Sequence, residues 1–302
     1  MKYFLSGFVL CFLSSVIIAQ NVDIYSAHSG LRFPLWGDST GSHVTRATIT
    51  PFLTNASTSA VIVFPGGSYF WLGAQGEGDE VGRWLQEQGL NAFVVRYRVP
   101  GWWAWFSHSR ALFRGVRHPD MFDDGQQALR WVRDHAWQYG IDTGKVGMVG
   151  FSAGGHLVLV QACYGKSFRP AFVAAVYPVV TMTDSCVHER SRRGLLGEQW
   201  KKMKRLCDTL SVERHVPVDC PPVFMVSCDD DPVVDCRNSQ MLDSALSSKG
   251  ISHYWFRCKT GGHGFGINEK KGSHESRVWK YHFLRWLEEL NFFSTGEALF
   301  SN

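Results

Sequence analysis

Short apolar runs alternate with amphipathic segments through most of this chain, and that alternation most limits how it can fold. Several runs are apolar at nearly every position, as in strands that are covered on both faces. The segments between them carry apolar residues at helical spacing. The pattern predicts an α/β fold, with a mostly parallel central sheet and helices on both faces. The predicted strands are residues 60–64, 91–99, 145–151, 171–178, 222–228 and 253–258, and the predicted helices are residues 79–88, 123–139, 153–163, 237–249 and 274–290.

Composition supports a folded chain and argues against one class of partner. Of 302 residues, 45% are hydrophobic and 19% are charged, which is enough apolar material for a sizeable core. The net charge of +4 is mild for this length, and residues 201–205 form the one dense basic run. We therefore expect no nucleic-acid partner. The oligomeric state stays open.

The first 19 residues have the pattern of a signal peptide. Lys2 supplies the positive charge, residues 8–18 form an apolar run, and Ala19 is a small residue suited to the position before the cleavage site. We expect a mature chain from about Gln20, forming a single domain over residues 20–302 with its catalytic core at about 55–290, that is secreted or periplasmic. The alternative is an uncleaved N-terminal anchor, although the run is short for a spanning helix. No later segment is apolar enough to cross a membrane.

The cysteines suggest an oxidising compartment but no metal site. Eight are present, and loss of Cys11 with the signal peptide leaves seven, so at least one thiol stays free if all disulfides are intramolecular. We expect one or two disulfides of unknown pairing. The cysteines lack the close pairs typical of zinc ligands, so no metal site is expected.

The segment at residues 145–156 contains the strongest chemical signal. It reads as a strand, then Gly150-Phe-Ser152-Ala-Gly154, then a helix. A sharp strand-to-helix turn exposes a serine above the sheet edge, where a neighbouring base can activate it. Ser152 is therefore the predicted nucleophile. An ordinary glycine turn is the alternative, and the flanking strand and helix argue against it.

Two later loops supply a candidate acid and a candidate base. Residues 229–231 are three aspartates after a predicted strand. Asp231 is preferred because it directly precedes Pro-Val-Val, and Asp229 and Asp230 are the alternatives. A solvated acidic turn without a catalytic role is the remaining alternative. His263 lies in a glycine-rich loop after the last predicted strand. An imidazole there can take the serine proton while a carboxylate orients it. His156, on the helix after Ser152, is expected to pack rather than to react.

The loop after the first predicted strand can stabilise a developing oxyanion. It reads Pro-Gly-Gly67-Ser68, and glycines allow backbone amides to approach a substrate closely. The amides of Gly67 or Ser68, together with that of Ala153, are the candidate donors. A plain turn is the alternative.

These motifs, in this order, resemble the α/β-hydrolase superfamily, in particular its carbohydrate-esterase and lipase-like members. The matching segments include FPGGSY, YRVP, VGMVGFSAGGHL, CPPVFMVSCDDDPVV and GGHGFG, and they extend from about residue 55 to 290. The resemblance implies a serine ester hydrolase of the α/β-hydrolase fold, whose substrate is often an acetyl ester on a plant polysaccharide. It also implies that Tyr177 ends a strand and that Asp124 is structural, placed where it can cap a helix.

The chain departs from this family in the predicted loop after Pro100, where three tryptophans occur within four residues. Aromatic faces can stack on sugar rings, whereas an apolar lid or core packing is the alternative. An apolar lid favours longer acyl chains. The candidate substrate-binding residues are Tyr69, Trp71, Trp102, Trp103 and Trp105.

We expect a secreted serine esterase that removes small acyl groups, chiefly acetyl, from plant carbohydrate through an acyl-enzyme. Neither a metal nor an organic cofactor is needed for this chemistry. A lipase-like, general carboxylesterase or peptidase-like hydrolase is the first alternative. A catalytically inactive binding protein is a weaker one, because the triad and the oxyanion glycines are all present.

Overall fold

The computed structural model describes residues 28–36, 47–165 and 168–293. The predicted signal peptide at residues 1–19 and Cys11 lie outside them. Eight strands form one sheet in the order β1-β2-β4-β3-β5-β6-β7-β8. The strands are β1 (Phe33–Pro34), β2 (Thr48–Phe52), β3 (Ala60–Phe64), β4 (Asn91–Arg96), β5 (Val146–Phe151), β6 (Val173–Val176), β7 (Val223–Cys228) and β8 (His253–Cys258).

The sheet is mostly parallel, as predicted, with an antiparallel edge that the sequence did not reveal. Strands β4, β3, β5, β6, β7 and β8 pair in parallel, whereas β2 pairs antiparallel with both β1 and β4. The β2 segment contains Pro51, and proline argues against a strand when the sequence is read alone. Proline has no amide hydrogen to donate to a neighbouring strand. Pro51 is tolerated because β1 pairs only with Thr48 and Ile49, so no pairing with β1 is needed at Pro51.

All five predicted helices are present with shifted ends, and the last one divides at Val278. Three further helices were missed, including α2, which occupies the segment interpreted as a tryptophan-rich loop. One turn of π-helix, Ala74–Asp79, directly precedes α1. The helices are α1 (Glu80–Glu87), α2 (Gly101–Ser107), α3 (Asp120–Asp134), α4 (Ala153–Tyr164), α5 (Glu189–Leu196), α6 (Lys204–Thr209), α7 (Arg237–Ser248), α8 (His274–Arg277) and α9 (Trp279–Glu289).

Helices cover both faces of the sheet, which explains why its strands are apolar throughout. On one face, α3 and α4 contribute Leu129 and Leu157 to a core shared with the sheet. On the other face, α1 and α9 contribute Leu85 and Phe283 to a second core. The parallel strands are thus held from both sides, and their carboxyl ends share one rim. No helix within the described ranges is both long and apolar enough to span a bilayer.

The cysteines of the described ranges are free thiols, so the prediction of one or two disulfides is wrong for these residues. Most of them are buried in the core, where a free cysteine behaves as a small apolar side chain. Cys228 and Cys258 are register partners at the ends of β7 and β8. The pKa of Cys163 is raised by a hydrogen bond to Cys220 and by burial.

Candidate active site

Ser152 lies in a sharp turn between β5 and α4, with φ 52° and ψ −116°. Few side chains tolerate this backbone conformation, and such strain concentrates at functional sites. A Cβ on Gly150 would lie 2.1 Å from the Gly154 carbonyl oxygen, and one on Gly154 would lie 2.2 Å from that of Phe64. Both positions therefore require glycine, because rigid backbone occupies the space.

The side chains of Ser152, His263 and Asp231 meet at the carboxyl rim of the sheet. The Nε2 atom of His263 lies 2.9 Å from Ser152 Oγ, and its Nδ1 lies 2.7 Å from Asp231 Oδ2. The loops after β5, β7 and β8 carry these residues, and the parallel order of the strands brings their ends together. Three residues that are far apart in sequence thus form one hydrogen-bonded chain.

The Asp231 carboxylate is oriented by its own loop. Its Oδ1 accepts hydrogen bonds from the amides of Val233 at 2.8 Å and Val234 at 2.9 Å, which leaves Oδ2 for His263. A carboxylate in this position accepts a hydrogen bond from the Nδ1–H group, so the unprotonated Nε2 is free to take the Ser152 hydroxyl proton. These distances are those that a nucleophile, a general base and an orienting acid require of each other.

The two alternative aspartates have other partners. Asp229 accepts a hydrogen bond from Arg257 Nε at 2.6 Å. Asp230 accepts hydrogen bonds from the amides of Gly261 and Gly262, at 3.2 Å and 2.8 Å, at the start of the loop that carries His263. Asp231 is therefore the one of the three aspartates that the structure brings to the imidazole.

Two of the three predicted oxyanion residues, Gly67 and Ser68, line the cavity beside Ser152. The glycine loop (residues 65–73) follows β3, and Gly67 and Ser68 have φ values of 133° and 55°. Their amides donate to no acceptor within residues 28–36, 47–165 and 168–293. Ala153 is the first residue of α4, where an amide has no intrahelical partner. These amides are free to bind an anion.

A cavity of about 360 Å³ opens above Ser152. This volume lies at the small end of the range for ligand sites. Two cationic side chains, Arg190 and Lys271, share its wall with one carboxylate, that of Glu77. The cavity is lined by Gly66, Gly67, Ser68, Trp71, Gly73, Gly76, Glu77, Ser152, Arg190, Val233, His263, Gly264, Phe265, Asn268 and Lys271.

Glu77 and Tyr177 border the site, although sequence reasoning gave neither a functional role. Glu77 Oε2 accepts a hydrogen bond from the Gly66 amide at 2.8 Å, and Oε1 accepts one from the Tyr177 hydroxyl at 2.7 Å. Burial raises the pKa of Tyr177 well above its usual value, and the Glu77 charge adds to the effect. Tyr177 directly follows β6, next to the strand end that the resemblance implied. An isolated acid in the turn before a helix carries no motif, so the sequence offered no signal for Glu77.

His188 is a second histidine close to the triad. Its Nδ1 lies 2.8 Å from Ser191 Oγ at the start of α5. Burial lowers its pKa to about 4, and the neighbouring His263 and Arg190 act in the same direction. No motif surrounds this residue, and the fold alone places it near the site.

Three of the candidate substrate-binding aromatic residues form a cluster beside the cavity. Trp71 borders the cavity; the Trp102 ring stacks on it with centroids 6.0 Å apart, and Trp105 meets it edge-on at 6.1 Å. We call Trp71, Trp102 and Trp105 the tryptophan cluster. Trp103 is 71% exposed and makes no ring contact within the described residues. Of the three α2 tryptophans, none borders the cavity directly.

The interpretation of Tyr69 as a substrate-binding residue is wrong. Tyr69 is fully buried, and its hydroxyl lies 2.8 Å from His156 Nδ1. Tyr69 has a positive φ of 60°, and its ring packs in the core against Tyr97, Phe122 and His156. His156 Nε2 lies 2.8 Å from the Leu210 carbonyl oxygen. His156 is therefore a packing residue, as predicted.

Asp124 is structural, as expected, but it does not cap a helix. Helix α3 begins at Asp120, so Asp124 lies within its second turn. Its carboxylate is fully buried and accepts hydrogen bonds from the Arg98 amide at 2.7 Å and Trp36 Nε1 at 2.7 Å. It joins the end of β4 to α3.

A family model named BD-FAE matches residues 49–246, which is about two thirds of the chain. The chain is 34% identical over 216 residues to an acetylxylan esterase of Xylanibacter ruminicola, a match that covers 70% of this chain and 42% of that protein. It is 31% identical over 210 residues to endo-1,4-beta-xylanase B of Butyrivibrio fibrisolvens, with 65% and 31% covered. The chain thus spans less than half the length of these curated relatives.

Solved structures share the fold over nearly their full length. An acetyl ester-xyloside bifunctional hydrolase from Caldicellulosiruptor lactoaceticus superposes with a TM-score of 0.74 at 28% identity, with 88% of this chain and 98% of that chain covered. An α/β hydrolase enzyme from a deep-sea metagenome library superposes with a TM-score of 0.64 at 23% identity, with 83% and 94% covered. The α/β-hydrolase fold expected from the sequence is confirmed.

Proposed function

The chain belongs to the BD-FAE family, and we propose that it is a secreted serine esterase that removes small acyl groups, chiefly acetyl, from plant carbohydrate. The observation that carries this proposal is the hydrogen-bonded chain from Ser152 through His263 to Asp231. The names of an acetylxylan esterase and an acetyl ester-xyloside hydrolase among similar proteins favour acetylated carbohydrate as the substrate class. The predicted signal peptide supports secretion.

The reaction follows from the placement of these groups. His263 Nε2 takes the Ser152 proton as Oγ attacks the ester carbonyl carbon, and Asp231 stabilises the resulting imidazolium. The amides of Gly67, Ser68 and Ala153 donate to the oxyanion. Return of the proton to the leaving alcohol gives the acyl-enzyme. Water activated by His263 then releases the carboxylic acid and restores Ser152.

The cavity and the tryptophan cluster favour a small acyl group on a sugar. A volume of about 360 Å³ accommodates a short acyl chain together with part of a sugar ring. The apolar faces of a sugar can stack on an aromatic wall beside the opening, which the tryptophan cluster provides. A sugar bound on this wall would lie between α2 and Ser152.

A lipase-like esterase is the second candidate, because α2 and the residues after it expose large apolar side chains. Trp102, Phe106 and Leu112 are each more than 70% exposed. An exposed apolar patch of this kind can act as a docking surface for longer acyl chains.

A series of 4-nitrophenyl esters from acetate to octanoate, assayed with purified protein, separates the two candidates. The carbohydrate esterase predicts kcat/KM for acetate well above that for octanoate, and release of acetate from acetylated xylan. A kcat/KM for octanoate well above that for acetate would instead favour the lipase-like candidate. A protein that hydrolyses none of these esters would support an inactive binding protein. Ser152→Ala is the control, and hydrolysis that survives this substitution would exclude the triad.

A further inference from the structure

The glycine loop and the histidine loop (residues 259–272) approach Ser152 from different strands and are joined by two side chains. Glu77 accepts a hydrogen bond from the Gly66 amide, and the Tyr177 hydroxyl donates to the other oxygen of Glu77. The same hydroxyl accepts a hydrogen bond from the Gly266 amide at 3.0 Å. The path from Gly66 to Gly266 therefore consists of three consecutive hydrogen bonds.

The backbone around this bridge leaves little space for an alternative arrangement. A Cβ on Gly66 would lie 2.7 Å from Glu77 Oε2 and 2.9 Å from Ser152 Cβ. A Cβ on Gly266 would lie 2.9 Å from the Gly76 carbonyl oxygen. Both loops therefore pack closely against the turn Ala74–Asp79, which carries Glu77, at positions where a side chain would clash.

Tyr177 also contacts the catalytic base through its ring. The ring centroids of Tyr177 and His263 are 4.5 Å apart, and those of Tyr177 and Phe265 are 4.8 Å apart. Tyr177 is almost completely buried and holds a positive φ of 40°, a conformation that costs energy for a residue other than glycine. A strained tyrosine is thus kept where its ring meets the imidazole and its hydroxyl meets Glu77.

We propose that Glu77 and Tyr177 are positioning residues, and that their bridge holds the oxyanion amides and the His263 imidazole in a fixed relation about Ser152. This inference rests on the proposed esterase activity. Neither residue donates or accepts a proton in the reaction. They prevent small displacements of the two loops. A displacement would separate the base from the nucleophile, or the amides from the oxyanion, and would lower the reaction rate.

The first test compares Tyr177→Phe with Tyr164→Phe, using 4-nitrophenyl acetate. Tyr177→Phe keeps the ring against His263 and removes both hydrogen bonds of the hydroxyl. We expect kcat to fall by about 10- to 100-fold with KM changed by no more than about twofold. Tyr164, whose hydroxyl donates to the Thr209 carbonyl oxygen far from the site, provides the control, and Tyr164→Phe retains wild-type kcat.

The second test uses Glu77, because the amide of glutamine can still occupy part of the bridge. Glu77→Gln retains an oxygen for the Gly66 amide, whereas Glu77→Ala removes both acceptors. We expect kcat to decrease in the order wild type, Glu77→Gln, Glu77→Ala. We also expect the double variant Glu77→Ala/Tyr177→Phe to lose little more than Tyr177→Phe alone, since both changes break the same path. Glu213→Gln, in an ion pair with Arg214 at 3.6 Å, is the carboxylate control.

These results separate positioning from general stability and from the proposed function. Melting temperature and circular dichroism are measured for every variant. The inference is overturned if Tyr177→Phe keeps kcat within twofold of wild type, or if kcat and KM change together in proportion to lost thermal stability. A wild-type protein that hydrolyses no ester would refute the proposed function itself. An active wild type with an unaffected Tyr177→Phe would refute the positioning role alone.

Discussion

The Oδ2 atom of Asp231 lies 2.7 Å from Nδ1 of His263, while two backbone amides hold the other oxygen of the same carboxylate. The side chain of Asp231 is only 1% exposed, and that of His263 is 13% exposed. Water therefore has little access to this hydrogen bond. The orientation of the imidazole depends on this one carboxylate.

Asp231→Asn should reduce kcat by roughly 10³-fold or more, because an amide cannot hold the imidazole in the tautomer that accepts the serine proton. Asp229→Asn is the matched control. Asp229 pairs with Arg257 at the surface, and we expect its loss to leave kcat within about twofold of wild type. Both variants are assayed on 4-nitrophenyl acetate. A larger loss in Asp229→Asn than in Asp231→Asn would reverse the assignment of the acid.

Gly154→Ala should lower the free energy of unfolding by about 1–3 kcal/mol, because the new methyl group meets backbone oxygens of Phe64 and Pro65 at 2.2 Å and 2.7 Å. Gly76→Ala is the control, since a Cβ at that position has no neighbour within 4 Å. Urea unfolding followed by tryptophan fluorescence measures both. Equal stabilities of the two variants would contradict the close packing of α4 on the glycine loop.

Trp102→Ala should lower the rate of acetate release from acetylated xylan several-fold and leave kcat/KM for 4-nitrophenyl acetate nearly unchanged. Trp102 extends the aromatic surface of Trp71, which a polymer contacts and a small ester does not. Trp103→Ala is the control, because Trp103 is similarly exposed but is not stacked in the cluster. If Trp103→Ala impairs polymer hydrolysis as much as Trp102→Ala, the stacking argument fails.

Acid should destabilise the protein between about pH 6.5 and pH 4 through His156. Burial lowers the pKa of His156 to about 4, below the value of about 6.5 for an unfolded histidine. Within this window the unfolded chain binds the proton more readily, so stability falls as pH falls, by about 3 kcal/mol for the full shift. His188, with a pKa also lowered to about 4, acts in the same direction.

His156→Gln tests this pH dependence, because glutamine can bond to Leu210 and Tyr69 without titrating. Melting temperatures at pH 7 and pH 4.5 should differ less in this variant than in the wild type. His274→Gln, at an exposed position, should keep the wild-type difference. An unchanged difference in His156→Gln would mean that another group dominates the acid response.

The sequence predicted the features that depend on local pattern. The buried parallel strands, the helices on both faces and the Ser152 turn all follow from short runs of residues. Asp231 was preferred over Asp229 and Asp230 because it precedes Pro-Val-Val. The structure supplies a physical reason for that pattern, since the amides of Val233 and Val234 orient the carboxylate.

Features that depend on distant contacts could not be predicted. Glu77 and Tyr177 are 100 residues apart in the chain, and their hydrogen bond exists only because β3 and β6 flank β5. Tyr69 follows Ser68 directly, and its position in the loop does not reveal that its side chain is buried in the core. The α2 segment was interpreted as a loop, whereas the structure shows a helix over Gly101–Ser107.

Helix α2 is attached to the rest of the molecule by few polar contacts, including those that Arg193 makes with the carbonyl oxygens of Ala104 and Trp105. Ser152, Asp231 and His263 follow β5, β7 and β8 and do not belong to α2. Replacement of α2 therefore leaves Ser152, Asp231 and His263 in place and, under the proposed function, changes only the surface that a polymer meets. Residues 101–107 are therefore the segment to exchange in an engineered variant that is meant to accept a different polymer.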